Sequence, residues 1–292
     1  MEKNIAASAI SIVKSNPSIQ PSGAGHVKAI NAGRPLSPSD HGVRVVTLSE
    51  YKEAAACLAE AFADDHTARY FIDTPDREHW TDAQKWDLHV EMMEYITYAH
   101  LLKGLVLTAV PDYGCVALWM PPGQNMDDYP TILRSGMWRL YYKLSCEGKA
   151  RFFSEFLPLL QETKKAVLGP RDGDSYYLVY VGTRASARGR GYARKVIDEV
   201  TRRADAEGRA CYLESSNDVN PIVYGKLGFG VAKKVYLTRG PEAVELDIMV
   251  RDPVRKEAAS GKEQEKAART LLMQVKLAAG NEKLGSVRAF IA

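Results

Sequence analysis

The residues most able to do chemistry lie between a strand-like run, Ser175 to Val181, and a helix-like run that opens near Gly191: Thr183-Arg184-Ala185-Ser186-Ala187-Arg188-Gly189-Arg190-Gly191-Tyr192-Ala193-Arg194. Glycines at such a turn let successive backbone N–H groups converge on an anion without side-chain obstruction, and a helix start adds the positive end of its dipole. Phosphate or pyrophosphate suits this composition. A tight strand-to-helix loop, or an arginine/glycine patch for RNA, would share it. The lysine and serine of the G-x-x-x-x-G-K-S/T loop are absent, as is the G-x-G-x-x-G order, so neither of those nucleotide cradles is expected.

A second chemical block follows: Leu213-Glu214-Ser215-Ser216-Asn217-Asp218-Val219-Asn220-Pro221-Ile222-Val223-Tyr224-Gly225-Lys226-Leu227-Gly228-Phe229. Arg188-Gly189-Arg190-Gly191-Tyr192-Ala193 resembles the acetyl-CoA motif of the GNAT superfamily of N-acetyltransferases, Gln/Arg-x-x-Gly-x-Gly/Ala after a central strand. The second block is similar to that family's Asn-to-Tyr-x-x-x-Gly-Phe segment. Within the superfamily the chain looks most like the puromycin N-acetyltransferase type of small-molecule acetylase, on its Leu-Glu-x-Ser and on Ala117-Leu118-Trp119-Met120-Pro121-Pro122-Gly123. The resemblance covers roughly residues 43 to 251.

The resemblance implies an α/β fold with a mixed, mostly antiparallel sheet of about seven strands flanked by helices, and acetyl-CoA as cosubstrate. Pantetheine would pair with a bulged strand as an added strand does, at Val181, Gly182 and Thr183. Thr183 stands where most members have Val and Ala185 where many have Pro, changes that remove no backbone amide. The pyrophosphate would lie against Gly189, Arg190, Gly191, Tyr192, Ala193 and Arg194, with charge from Arg188, Arg190 or Arg194. Asn217 is at the position of a cofactor-contacting amide. Tyr224 is at the general-acid position, where a phenol can protonate the departing thiolate; a tyrosine stacked on a short helix is the plainer reading. Acetyl transfer also needs a neutral amine. Glu214, at a strand end, is a candidate base, though such a glutamate can equally be a buried hydrogen-bond acceptor. Asp64 and Asp65, with His66, lie where members form one wall of the acceptor site; an ordinary polar helix exit reads the same way.

Other elements must position these groups. Val43 to Leu48 reads as a strand, and Ser49 as the N-cap of a helix reaching about Ala63. Thr81 caps a second helix that runs to Lys103 and Gly104; His89 and His100 fall within it as surface or packing residues. Leu105 to Val110 and Cys115 to Met120 flank Pro111-Asp112-Tyr113-Gly114, the composition of a hairpin turn. Residues 126 to 170 read as an inserted helical lobe, from Tyr129 to Leu168. Then come the strand Ser175 to Val181, buried on both faces, the helix Gly191 to Ala206, the strand Ala210 to Glu214, a short helix from Pro221 to Lys226, and strands Val231 to Thr238 and Ala243 to Val250. Residues 1–41, rich in Ser, Pro, Gly and Asn, read as a loose arm. In residues 252–292, Ala268, Leu271, Leu272, Val275 and Ala278 share a helical face that either packs on the domain or pairs with a second copy as a homodimer.

Composition excludes several classes. The 39 Lys and Arg nearly balance the 36 Asp and Glu of the 292 residues, a net charge of +3, far below the field of a nucleic-acid-coating protein. The longest apolar stretch, Leu101 to Val110, is well short of the roughly 20 residues that span a bilayer, so no membrane partner is expected. Cys57, Cys115, Cys146 and Cys211 stand alone, without zinc or disulfide spacing, and read as reduced thiols of a cytoplasmic protein. No histidine pair has metal spacing, and no metal is expected. The N-terminus has no continuous apolar run of a secretory signal. It is acid-poor from Glu2 to Asp40, as organellar signals are, but Arg34 is its one arginine. The function expected is acetyl transfer to a small-molecule amine by direct attack in a ternary complex. The alternatives are a peptide or protein N-acetyltransferase and a non-catalytic CoA-binding regulatory module.

Overall fold

The computed structural model describes residues 42–109, 113–217 and 219–254; the expectations for the arm and for the C-terminal helix lie outside these residues. In chain order the elements are β1 (Val43–Val45), α1 (Tyr51–Ala61), α2 (His66–Ile72), α3 (Asp82–Lys103), β2 (Leu105–Ala109), β3 (Cys115–Met120), α4 (Tyr129–Ser135), α5 (Leu157–Leu168), β4 (Tyr176–Thr183), α6 (Tyr192–Glu207), β5 (Cys211–Ser215), α7 (Asn220–Gly225), β6 (Gly230–Leu237) and β7 (Val244–Arg251). The strands form one sheet in the order β1-β2-β3-β4-β5-β7-β6. Every neighbouring pair is antiparallel except β4 with β5. This is the mixed, mostly antiparallel seven-stranded sheet that the family resemblance implies.

Local signals explain most boundaries, and some differ from expectation. The first helix is capped by Thr47 rather than Ser49: Glu50 reaches back to the Thr47 N–H at 2.7 Å and closes a capping box over a 3₁₀ turn. That helix ends at Ala61, and a further helix absent from the sequence reading, α2, begins after Asp65, whose carboxylate accepts from Ala68 N at 2.9 Å. Thr81 caps α3 as expected and, with Gln84, closes a capping box; Gly104 ends the helix. The lobe between β3 and β4 is helical but broken. Gly136, with φ 81°, stops α4; Leu144 is extended, and Ser145 caps a new turn at Cys146–Lys149. A π-helical stretch, Ala150–Phe156, then leads into α5. The four cysteines are free thiols, with only Cys146 exposed.

Alternating strand residues build two apolar layers. Val196, Ile197, Val200 and Ala204 of α6 cover Leu107, Ala117, Trp119, Leu178, Leu213 and Met249 on one face. On the other, α1 and α3 cover Val106, Val116 and Leu118. Beside them α2 and the lobe cover Tyr212, Leu237, Leu246 and Ile248. The lobe is clipped to α2 by Arg151, buried to 3% exposure, which donates to Tyr70 O at 2.9 Å and Asp73 O at 3.3 Å.

The seating of α1 on β4 depends on Gly182. A Cβ there would lie 2.7 Å from Ala61 Cβ and 3.1 Å from Leu58 Cδ2, inside a packed layer that cannot move aside freely. Gly182→Ala is therefore expected to lower stability by about 1–3 kcal/mol, read as a lower urea midpoint with an unchanged slope.

Candidate active site

The site is a gap in the sheet. β4 and β5 pair only from Tyr176↔Cys211 to Leu178↔Leu213, yet β4 runs on to Thr183 and β5 to Ser215. The parting coincides with a bulge: Leu118 pairs with Tyr180 and Trp119 with Leu178, leaving Val179 without a partner on β3. This is why β4 is only half-buried beyond Leu178, apart from Gly182, whereas the sequence pattern suggests burial on both faces.

The backbone of β4 offers hydrogen bonds into the gap. Arg184 N donates to Gly114 O at 3.0 Å, so the two-residue alternation of an antiparallel pair turns Gly182 and Tyr180 toward β3. The N–H and C=O groups of Val181 and Thr183 then face the open side. Arg188 Nε, 3.4 Å from Thr183 O, reaches that carbonyl from outside the sheet.

At the mouth of the gap the chain turns through the arginine- and glycine-rich loop into α6. Gly189 and Gly191 have φ of 76° and 74°, left-handed values that a side chain resists, and a Cβ on either would meet no atom within 4 Å. They are glycines for conformation, with open space in front of them. Gly191 is the N-cap of α6 and offers no side chain to it, so the first-turn N–H groups of Tyr192, Ala193 and Arg194 lack intrahelical acceptors. Arg194 pairs with Asp198 at 3.3 Å; Arg190 is exposed and has no ion pair among the described residues.

Tyr224 and Glu214 approach the gap from opposite faces. Tyr224, half-buried on α7, packs into the layer beneath α6, with its ring 6.0 Å from that of Phe229. Burial first, and then the nearby Cys115 thiol, push its phenol well above the usual range, so it stays protonated at neutral pH. Cys115 is the register partner of Thr183 on β3, and Tyr224 packs against the same apolar cluster as Cys115. Glu214, one residue after Leu213, points to the other face. Burial raises its carboxyl to about 7, against a partial stabilisation of the carboxylate by the Tyr177 and Tyr212 hydroxyls and by Lys164. Glu214 Oε1 and the Tyr212 hydroxyl are both buried from solvent.

The two aspartates separate. Asp64 is in solvent, 92% exposed, paired with Arg69 at 2.6 Å. Asp65 caps α2 with one oxygen and accepts from Ser216 Oγ at 2.6 Å with the other, tying the α1–α2 turn to the end of β5. Asn217 is exposed: its Oδ1 accepts from Val219 N at 2.9 Å, a local turn contact, and its NH₂ is left to donate. His89 and His100 are buried packing residues that hydrogen-bond the carbonyls of Ala59 and Ile96. Among the described residues no three His, Cys, Asp or Glu side chains form a metal cluster, and no helix is long and apolar enough to cross a membrane.

Sequence reasoning missed the groups around Glu214. Tyr212 was legible in principle, two residues before Glu214 on one strand; Tyr177, Tyr180 and Lys164 come from other elements. The sequence shows the β6–β7 turn only as the break between two strands. Because Ser215 pairs with Asp247 in antiparallel register, that turn lies at the gap end of the sheet. Glu155 of the lobe holds it, accepting from Thr238 N at 2.7 Å, as does the Tyr70 hydroxyl, accepting from Arg239 N at 2.8 Å.

No protein-family model matches the chain. It is 46% identical over 223 residues, 76% of this chain and 88% of the relative, to an uncharacterized N-acetyltransferase of Schizosaccharomyces pombe. Among solved structures it is similar to a histone acetyltransferase HPA2 and related acetyltransferase from Corynebacterium glutamicum, at 22% identity over 74% of this chain and 98% of that one, with a TM-score of 0.46. A Drosophila melanogaster polyamine N-acetyltransferase is 12% identical over 72% of this chain and 98% of its own, with a TM-score of 0.47. With the parted strands and the two sequence blocks now on one sheet, the relationship to the yeast protein decides the matter: the chain belongs to the GNAT superfamily of N-acetyltransferases.

Proposed function

We propose that this acyltransferase moves an acetyl group from acetyl-CoA to the amine of a small molecule, by direct attack within a ternary complex. The observation that carries the reading is the β4–β5 gap, with Tyr224 on one face and Glu214 on the other. Its residues fit the cosubstrate. The outward N–H and C=O groups of Val181 and Thr183 can pair with the amides of pantetheine as a further strand would. The unpaired N–H groups of Tyr192, Ala193 and Arg194, on a loop whose glycines leave open space, suit the pyrophosphate, with Arg188 and Arg190 able to add charge.

Acetyl-CoA supplies the activated acyl group as a thioester. Glu214 takes the proton from the amine nitrogen, leaving the electron pair on nitrogen for attack; Tyr224 gives its proton to the sulfur that leaves. The opposed faces suit two proton transfers at two ends of one reacting centre. Asp65 serves as a wall of the acceptor site by fixing the α1–α2 turn, whereas Asp64 stands outside it. A compact acceptor, rather than a peptide in an open groove, is favoured by the closure around Glu214: Lys164 of the lobe, the clip from Asp65 to Ser216, and the β6–β7 turn held by Tyr70 and Glu155.

The test is thiol release from acetyl-CoA across primary amines, including arylalkylamines, polyamines, amino sugars and a puromycin-like aminonucleoside. Turnover on at least one supports the reading. Turnover confined to peptide N-termini would replace it with the peptide reading, and binding without turnover would point to a regulatory module. A further expectation concerns Gly191. Val in its place costs about 1–2 kcal/mol in the left-handed conformation, which the loop can relieve only by turning its N–H groups away. Gly191→Val is expected to weaken acetyl-CoA binding about tenfold, measured by calorimetry, with thermal stability changed far less.

A further inference from the structure

Behind Glu214 lies a polar assembly that neither sequence block contains. Tyr177 and Tyr212 are register partners on the last rungs that β4 and β5 share, with rings 5.4 Å apart and nearly edge to face. Lys164 of α5 holds its Nζ 5.9 Å from one ring centre and 5.8 Å from the other. That ammonium is fixed by Asp172, donating at 2.8 Å to its carbonyl and 2.5 Å to its carboxylate. Both tyrosine hydroxyls face the Glu214 carboxyl. Tyr212 is fully buried, and its hydroxyl is turned to the Glu214 carboxyl, within reach of a donated hydrogen bond that tightens when the carboxylate is ionised.

We infer that Tyr212, backed by Lys164 and Asp172 of the lobe, is a positioning residue that holds Glu214 ready to take the acceptor's proton. This rests on Glu214 being the base, as proposed above. When the carboxylate is ionised, the Tyr212 hydroxyl donates to it and the Lys164 charge stabilises it through the ring pair. When an N–H bond of the bound ammonium breaks and its proton passes to Glu214, the electron pair stays on nitrogen and the carboxyl becomes neutral. The groups facing Glu214 are Tyr177 and Tyr180 from β4, Tyr212 from β5, Lys164 from α5, Asp172 beyond it, and Asp65 through Tyr180. Tyr177, Tyr212 and Lys164 favour the carboxylate; burial opposes it. The inserted lobe thereby sets the protonation of a residue on the sheet.

The test needs no acceptor. The full-length protein, labelled with ¹³C at glutamate side-chain carboxyls, is titrated by NMR, and Glu214→Gln identifies the Glu214 resonance. In the wild type the midpoint is expected near 7. In Tyr212→Phe and Lys164→Met it should rise by about half a unit to one unit, since each loses a group that favours the ionised form. Lys164 lies on the lobe helix α5 rather than in the sheet, so its variant still reports if the buried Tyr212 change impairs folding. Unshifted midpoints in the folded variants would overturn the proposal. Loss of an acid limb in the rate profile of Glu214→Gln bears separately on Glu214 as base, so failure of that reading and of this one are told apart.

Discussion

Removing a single oxygen atom, in Tyr224→Phe, is expected to lower kcat by about 10²–10³-fold on any amine the enzyme accepts. Acetyl-CoA affinity should stay within about threefold, because the interaction removed acts on the transition state. The phenol is held protonated by burial and by the neighbouring Cys115 thiol, and it reaches from α7 toward the β3–β4 side of the gap. Its ring packs with Phe229 and the α6 layer, and phenylalanine keeps that packing, so the melting temperature should hardly change. Single-turnover thiol release with calorimetric binding separates the effects. A variant with wild-type kcat would remove Tyr224 from the chemistry and leave it a packing residue.

The second large effect concerns pH. Glu214 is raised to about 7 by burial, so below that value it carries a proton and cannot accept another; above it, it can. Wild-type kcat/KM should therefore rise with pH through about 7 and level off. Glu214→Gln, isosteric but unable to take a proton, should lose that rise and run about 10²-fold slower at pH 8. Stability moves the other way. A carboxyl with a folded pKa above its unfolded value makes the folded state relatively less stable as pH climbs from the unfolded value through the folded one. Glu214→Gln should accordingly melt higher than wild type at pH 8, with the gain shrinking toward pH 4.5. Equal melting temperatures at pH 8, with the acid limb intact, would mean that the carboxyl is neither strained nor used.

What could be read in the chain and what could not follows from how each feature is built. The glycine-rich loop and the Tyr224 segment are contiguous, and their signals, glycines before a helix and a Tyr-x-x-x-Gly-Phe stretch, need no partner from elsewhere. The hairpin of β2 and β3 was legible for the same reason. The surroundings of Glu214 were not, because Tyr177 and Lys164 reach it from two other elements, and the nearby Asp65–Ser216 bond joins residues 151 apart. The bulge at Val179 hid Tyr180. Simple alternation would send Tyr177 and Tyr180 to opposite faces, but the extra residue returns both to the face away from α6. Helix α2 was missed because its apolar residues are bunched at its end, Tyr70, Phe71 and Ile72, so that no helical period shows. Its start is marked only by Asp65, the capping residue.

The central claim is that the parted strands β4 and β5, with the glycine loop at their mouth, are an acetyl-CoA site. Calorimetric titration of the wild-type chain with acetyl-CoA tests it most directly. The account predicts one site per chain with a Kd on the order of micromolar, weakened about tenfold in Gly191→Val and nearly unchanged in Tyr224→Phe. No binding at millimolar acetyl-CoA, or equal affinity in wild type and Gly191→Val, would contradict it.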